Sequence, residues 1–104
     1  MVSLILIMKY GFIAYGNLKT EFTKQPMEEI HNVMKQVEII AKKHEIEVKM
    51  YGVPYGVSED FVVVYESEKG LVNYYNFGVE ADLPYTNTRT NQVSIDIPAE
   101  LLAK

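Results

Sequence analysis

The apolar positions of this chain follow two different patterns. Leu4 to Met8 and Phe61 to Val64 are hydrophobic at consecutive positions, whereas Ile46-Glu47-Val48-Lys49-Met50 and Val93-Ser94-Ile95-Asp96-Ile97 alternate strictly. Side chains of a strand point alternately to opposite faces, so an unbroken apolar run needs cover on both faces and an alternating run on one. The patterns predict two strands covered on both faces and two covered on one. The first strand is expected over roughly Leu4 to Tyr15, the second over Ile46 to Met50, the third over Phe61 to Glu66 and the last over Val93 to Ile97, ended by Pro98.

Between the first two strands the period changes from two to between three and four. Met27, Ile30, Met34, Val37, Ala41 and His44 recur at helical steps, with Val33 and Ile40 widening the stripe. Pro26, then Glu28 and Glu29, suit a first helical turn, and Lys42, Lys43 and His44 suit the negative end of the dipole. Pro54-Tyr55-Gly56, within the connection Gly52 to Asp60, suits a type I turn. Ser67 is expected to cap a short helix carrying Leu71, Tyr74, Tyr75 and Phe77, with Gly78 as its stop. Asp82 to Asn91, rich in Thr and Asn, is expected to be a polar connection.

The element order is therefore β-α-β-β-α-β, the order of a ferredoxin-like α+β domain: a four-stranded antiparallel sheet with two helices on one face. Strands one and three are expected side by side at the centre, taken as a parallel pair, with strands two and four at the edges. Charge assigns the faces. Lys9 shares a side with Ile5 and Ile7, and Glu66 with Val62 and Val64, so these sets belong to the helix-free face. The helix face then holds Leu4, Leu6, Met8, Phe61, Val63, Tyr65, Ile46, Val48, Met50, Val93, Ile95 and Ile97. On the other face Ile5, Ile7, Val62 and Val64 form an apolar strip between Glu47, Lys49 and Tyr51 on one edge and Gln92, Ser94 and Asp96 on the other. An apolar centre with a polar rim is the anatomy of an association surface. The simplest cover is a second copy, and a homodimer through this face is expected, burying on the order of 1,500 Å².

Length and charge narrow the picture. A chain of 104 residues makes a single domain, 1–104, able to bury roughly 60 to 70% of its unfolded surface. The net charge of -4 and the lack of any basic run beyond Lys42-Lys43 argue against a nucleic-acid partner. The apolar start precedes its first positive charge, the reverse of a secretory signal, and is too short to span a bilayer; no membrane partner is expected. With no cysteine, thiolate chemistry and disulfides are excluded, and the cytoplasm is the expected compartment.

The candidate chemistry is sparse. His31 and His44 stand thirteen residues apart on one helix, about 220° around its axis, and cannot share a metal ion, so no metal site is expected. His44 reads as a structural residue of the packed stripe and His31 as solvated. Gly52-Val-Pro-Tyr-Gly56 lacks the lysine and helix of a phosphate loop. Arg89, the only arginine, could clamp a carboxylate or phosphate bidentately, although a solvated loop arginine is the plainer reading. Tyr65, Tyr74 and Tyr75 read as core packing before catalysis. The best polar constellation is Lys9, Glu66 and Glu47, with Gln92, at one end of the open face, where two carboxylates around one lysine in a dimer cleft could have displaced pKa values. A rim salt-bridge network fixing dimer register is the plainer reading. The candidate ligand-binding residues are thus Lys9, Glu47, Glu66, Tyr51 and Arg89.

The strand order, with Asp60-Phe-Val-Val-Val-Tyr-Glu followed by Leu71-Val-Asn-Tyr-Tyr, resembles the dimeric α+β barrel superfamily and, distantly, its small darcynin-like members. The resemblance implies a fold; members include cofactor-free monooxygenases, lactone isomerases, haem proteins and small-ligand sensors. The haem branch uses a histidine ligand, and neither histidine here is expected near the second helix, so no cofactor is expected. The expected function is binding or sensing of a small organic molecule by a homodimer. The alternative is a cofactor-independent monooxygenase or isomerase acting on such a molecule between sheet and helices, and a third reading is an interaction module with no pocket.

Overall fold

The structure, a computed structural model, describes residues 9–95. The expectations placed on Ser3 to Met8, Ile5 and Ile7 among them, and on Asp96 and Ile97 lie outside the described residues. Within them run β1 (Lys9–Leu18), α1 (Met27–Lys43), β2 (Ile46–Gly52), β3 (Phe61–Ser67), α2 (Leu71–Glu80) and β4 (Tyr85–Ile95). The sheet order is β2-β3-β1-β4, with β1 and β3 central as the burial patterns require. All three pairings are antiparallel, including β1 with β3. The parallel central pair is thereby corrected. The crossover through α1 skips one position, and β3, returning from β2 across a short connection, fills the gap antiparallel to both neighbours.

Strand β3 behaves as its unbroken apolar run predicts. Phe61, Val63 and Tyr65 are fully buried towards the helices, and Val62, Val64 and Glu66 are half-buried on the other side. Phe12 and Ala14 of β1 continue the helix-side set, and Ile30, Met34, Val37 and Ala41 of α1 and Phe77 of α2 close over it. Pro26 is the N-cap residue of α1, one position before the expected first turn. Ser67 does not cap α2; it ends β3, where its hydroxyl donates to the Glu45 carbonyl at 2.8 Å and accepts the Lys69 N–H at 2.9 Å. Gly70 takes the capping position, and the helix runs through Gly78 to Glu80.

Two irregularities reverse face assignments made from strict alternation. In β2, Val48 pairs with Tyr65 and Met50 with Val64, leaving Lys49 as an extra residue. A bulge of one residue exchanges the faces of everything beyond it. Met50 therefore turns away from the helices and is 65% exposed, while Tyr51, opposite Val63, turns towards them. The second lies between β1 and β4, where Tyr15 pairs with Arg89 but Gly16 with Asn87, so Thr88 is extra. Beyond it Gln92 pairs with Phe12 and Val93 with Gly11. Val93 thus belongs to the helix-free face and not to the core, while Gln92 and Ser94 occupy the helix side, exposed. Position 95 pairs with Lys9 in the same register. The stretch read as a polar connection is also strand from Tyr85 onwards, because β-branched threonines fit a pleated edge whose outer side needs no apolar cover.

Candidate functional site

Of the three charged residues expected together, Lys9 and Glu66 are paired and Glu47 lies beside them with a lysine partner of its own. Lys9 opens β1 and Glu66 lies near the end of β3, at the same end of the sheet because the strands are antiparallel, and Lys9 Nζ stands 3.8 Å from Glu66 Oε1. Glu47 lies directly opposite Glu66, and its carboxylate accepts from Lys49 Nζ at 3.3 Å. They border a recess of about 580 Å³ between the sheet end and the last turns of α1, walled by lysines 9, 42 and 69 and glutamates 38, 45, 47, 66 and 68. Both signs are interleaved there, with five carboxylates against three lysines, so the recess is mildly acidic and offers no anion site. Gln92, opposite Phe12, lies on the other face of the sheet and does not join them.

Arg89 and Tyr51 stand apart from this cluster and from each other. Arg89 donates from Nε to Glu59 at 3.1 Å, Thr88 Oγ1 donates to the same carboxylate at 2.7 Å, and the guanidinium lies 4.1 Å from the centre of the Tyr15 ring. The hydrogen bond from Arg89, then that from Thr88, hold the Glu59 carboxyl down to about 2. Arg89 is therefore already engaged by an acid of its own chain. Tyr51, on the helix side, is hydrogen-bonded to His31 Nδ1 and sits edge-on to its ring. Burial, then the charge of Glu38, pushes the Tyr51 phenol up.

Sequence reasoning missed a second site, on the flank of α2. At 100° per residue, Tyr74 and Phe77 point into the core, whereas Leu71, Val72, Tyr75 and Val79 make a separate stripe on the outside of the helix. Val72, Tyr75 and Val79 are 68–72% exposed. Tyr75 is therefore not a core residue. The signal was the single charged residue, Glu80, on this ten-residue helix and the apolar positions on two of its sides, since a helix apolar on two sides needs two partners. Its outer flank and the start of β4 enclose a groove of about 600 Å³, lined by Leu71, Val72, Tyr74, Tyr75, Phe77, Gly78, Val79, Leu83, Tyr85 and Asn87. No charged side chain is among them.

The floor of this groove is an aromatic layer. Phe12 and Tyr74 stack with centroids 4.4 Å apart, Tyr65 meets Phe77 edge-on at 5.2 Å, and Phe61 lies 5.5 Å from Tyr85. The Tyr65 and Tyr85 hydroxyls are 2.6 Å apart, and Asn87 Nδ2 donates to Thr90 Oγ1 at 2.8 Å. Burial pushes the Tyr65, Tyr74 and Tyr85 phenols up, so all three stay protonated at ordinary pH.

His44 lies against α2 after all. Its Nε2 is 2.9 Å from Glu80, which also binds Lys43 at 2.6 Å, and Asn73 Nδ2 donates to its carbonyl at 3.1 Å. The helix α1 returns its last turn onto α2, which the sequence pattern of α1 alone did not reveal. The ring is held by Glu80, and the groove wall contains no histidine, so a histidine-ligated haem does not fit it. Among the described residues no cluster of three His, Asp or Glu stands ready for a metal ion, and no helix is long and apolar enough to cross a membrane.

Comparison with solved structures bears out the expected fold. Chlorite dismutase from Candidatus Nitrospira defluvii in complex with imidazole matches with a TM-score of 0.57 at 16% identity, over 89% of this chain and 42% of that one. A tryptophan-substituted form of the same enzyme gives 0.59 at 14% identity, over 92% and 43%. The likeness is one of fold, the ferredoxin-like α+β arrangement of sheet and helices, and the chain spans less than half the length of these structures. No family model and no curated protein matches the chain, so the likeness to darcynin-like members stays an expectation from the sequence.

Proposed function

We propose that this protein binds a small organic molecule in the groove between α2 and β4, and does so as a homodimer joined through the helix-free face of its sheet. The observation that carries the ligand is the uncharged groove of about 600 Å³, within the range of small-molecule sites. The size of the apolar flank argues for a ligand over a protein. Leu71, Val72, Tyr75 and Val79 occupy a helix of ten residues, about 15 Å long, whereas a stable protein interface takes roughly 20–30 residues a side. Support for the dimer comes from the opposite face, where Ile13, Val62 and Val64 are half-buried and Met50 and Val93 are exposed beside them. Ile5 and Ile7 extend the same strip in the sequence-based expectation.

Gly78 offers a direct test of the ligand. It lines the groove, and a Cβ placed there meets nothing within 4 Å. Replacing it by leucine removes a flexible residue from a helix interior and sends a side chain into the groove. Nile red, a neutral dye that brightens in apolar surroundings, is expected to bind the parent chain, and Gly78→Leu is expected to weaken that binding at least about tenfold while thermal stability holds or rises. Undiminished dye binding in the folded variant would remove the groove from the proposal. Native mass spectrometry of protein from its own host would report the copy number and any retained molecule together.

A further inference from the structure

Proton counting on the two paired tyrosines narrows the ligand class, given the groove as the binding site. Two hydroxyls carry two protons. One lies between the oxygens of Tyr65 and Tyr85, 2.6 Å apart. The second has no acceptor among the described residues, since each oxygen has only the other as its partner. A buried donor left unmade is costly, of the order of 1–3 kcal/mol. Tyr65 is completely enclosed, whereas Tyr85, only 2% exposed, forms part of the groove wall. The spare proton is therefore usable only if Tyr65 donates to Tyr85 and Tyr85 donates onward.

We propose that the groove takes an electrically neutral, ring-bearing molecule with a carbonyl-type oxygen, which accepts the hydrogen bond that Tyr85 has left to give. Neutrality follows from the wall, which holds no lysine, arginine, aspartate or glutamate, so that an ion entering it would lose its hydration with no counter-charge in return. The ring follows from Tyr74, Tyr75, Phe77 and Tyr85, whose faces and edges favour stacked or tilted aromatic contact. Asn87, with one N–H on Thr90 and its carbonyl oxygen and second N–H left over, supplies a further polar contact at the same wall.

Three probes of one ring system separate the parts of this assignment: 2-acetylnaphthalene, 2-ethylnaphthalene and 2-naphthoate, titrated into the ¹⁵N-labelled chain with the amides of Gly78, Leu83 and Asn87 as reporters. The acetyl compound is expected to bind roughly three- to tenfold more tightly than the ethyl compound, the size of one hydrogen bond to a buried donor. The naphthoate is expected to bind at least about tenfold more weakly than the acetyl compound. Tyr85→Phe should erase the acetyl preference, and Tyr65→Phe should keep it, because Tyr85 still has a proton to donate. Should Tyr85→Phe not fold, the ¹³Cζ resonance of Tyr85 in the parent chain gives the same answer, moving with the acetyl compound and not with the ethyl one. Equal affinity of the acetyl and ethyl compounds, or a preference that survives Tyr85→Phe, overturns the carbonyl assignment while leaving the groove as a binding site. Tighter binding of the naphthoate overturns neutrality. No response of the groove amides to any probe overturns both this assignment and the ligand site beneath it.

Discussion

Glu59 accepts hydrogen bonds from Arg89 and Thr88, and both favour its charged form, which is why its carboxyl is held down to about 2 from an ordinary 4.5. A carboxyl depressed in the folded chain contributes stability that is fully present above the unfolded value and is lost as pH falls through the folded one. The pair should therefore stabilise the chain above about pH 4.5 and cease to do so near pH 2. Glu59→Gln is expected to lower the melting temperature at pH 7 and to converge on the parent chain between pH 4.5 and 2. A gap between the two that stays constant across that window would show that the ion pair adds nothing. Arg89 could be singled out from the sequence because it is the only arginine. Its partner could not, since Glu59 lies thirty residues away in a connection, where no periodicity ties it to a strand position. Lys9 and Glu66 were legible for the opposite reason: each sits on a regular strand, so parity placed them on one face and topology at one end.

Parity is reliable only while strands are regular, and that divides the elements that were read correctly from those that were not. The unbroken run of β3 and the helical stripe of α1 gave their buried faces directly, because both patterns persist without interruption. In β2 and β4 a single extra residue, Lys49 or Thr88, reversed every assignment beyond it, sending Met50 and Val93 out and Tyr51 in. Neither bulge is marked by a residue type that would announce it. Gly16, opposite the second bulge, is its one visible trace. A Cβ there would stand 2.5 Å from the Thr86 carbonyl oxygen and 2.5 Å from the Tyr85 ring, in a backbone approach that only glycine permits. Gly16→Ala is expected to cost about 1–3 kcal/mol by overpacking, read as a lower urea midpoint at unchanged slope. A midpoint within error of the parent would mean that β4 moves aside freely at the bulge. Because Tyr85 flanks the same contact and lines the groove, the variant should also weaken Nile red binding.

At the scale of the molecule, apolar surface remains on both sides of the layered core, and the two sides ask for different partners. The groove beside α2 is narrow and concave, whereas the helix-free sheet face is broad and lies across all four strands. The bulges enlarge that face: Met50 comes to lie beside Val64, and Val93 joins Ile13 along β1. Ion pairs close it at either end, Lys9 with Glu66 and Arg89 with Glu59. A strip of this kind buried against its twin is worth about 25 cal/mol per Å² of apolar surface, so a charge set in its middle should cancel the gain outright. Val64, half-buried on a central strand and pointing away from the core, is the position where such a charge touches the proposed interface and little else. Val64→Asp is therefore expected to sediment as a monomer at micromolar concentration, with the amides of Gly78, Leu83 and Asn87 unshifted because they lie on the other side of the sheet. A variant that stays dimeric would move the contact off the sheet face, and a parent chain that is itself monomeric would leave Ile13, Val62, Val64 and Val93 to be covered by something other than a second copy.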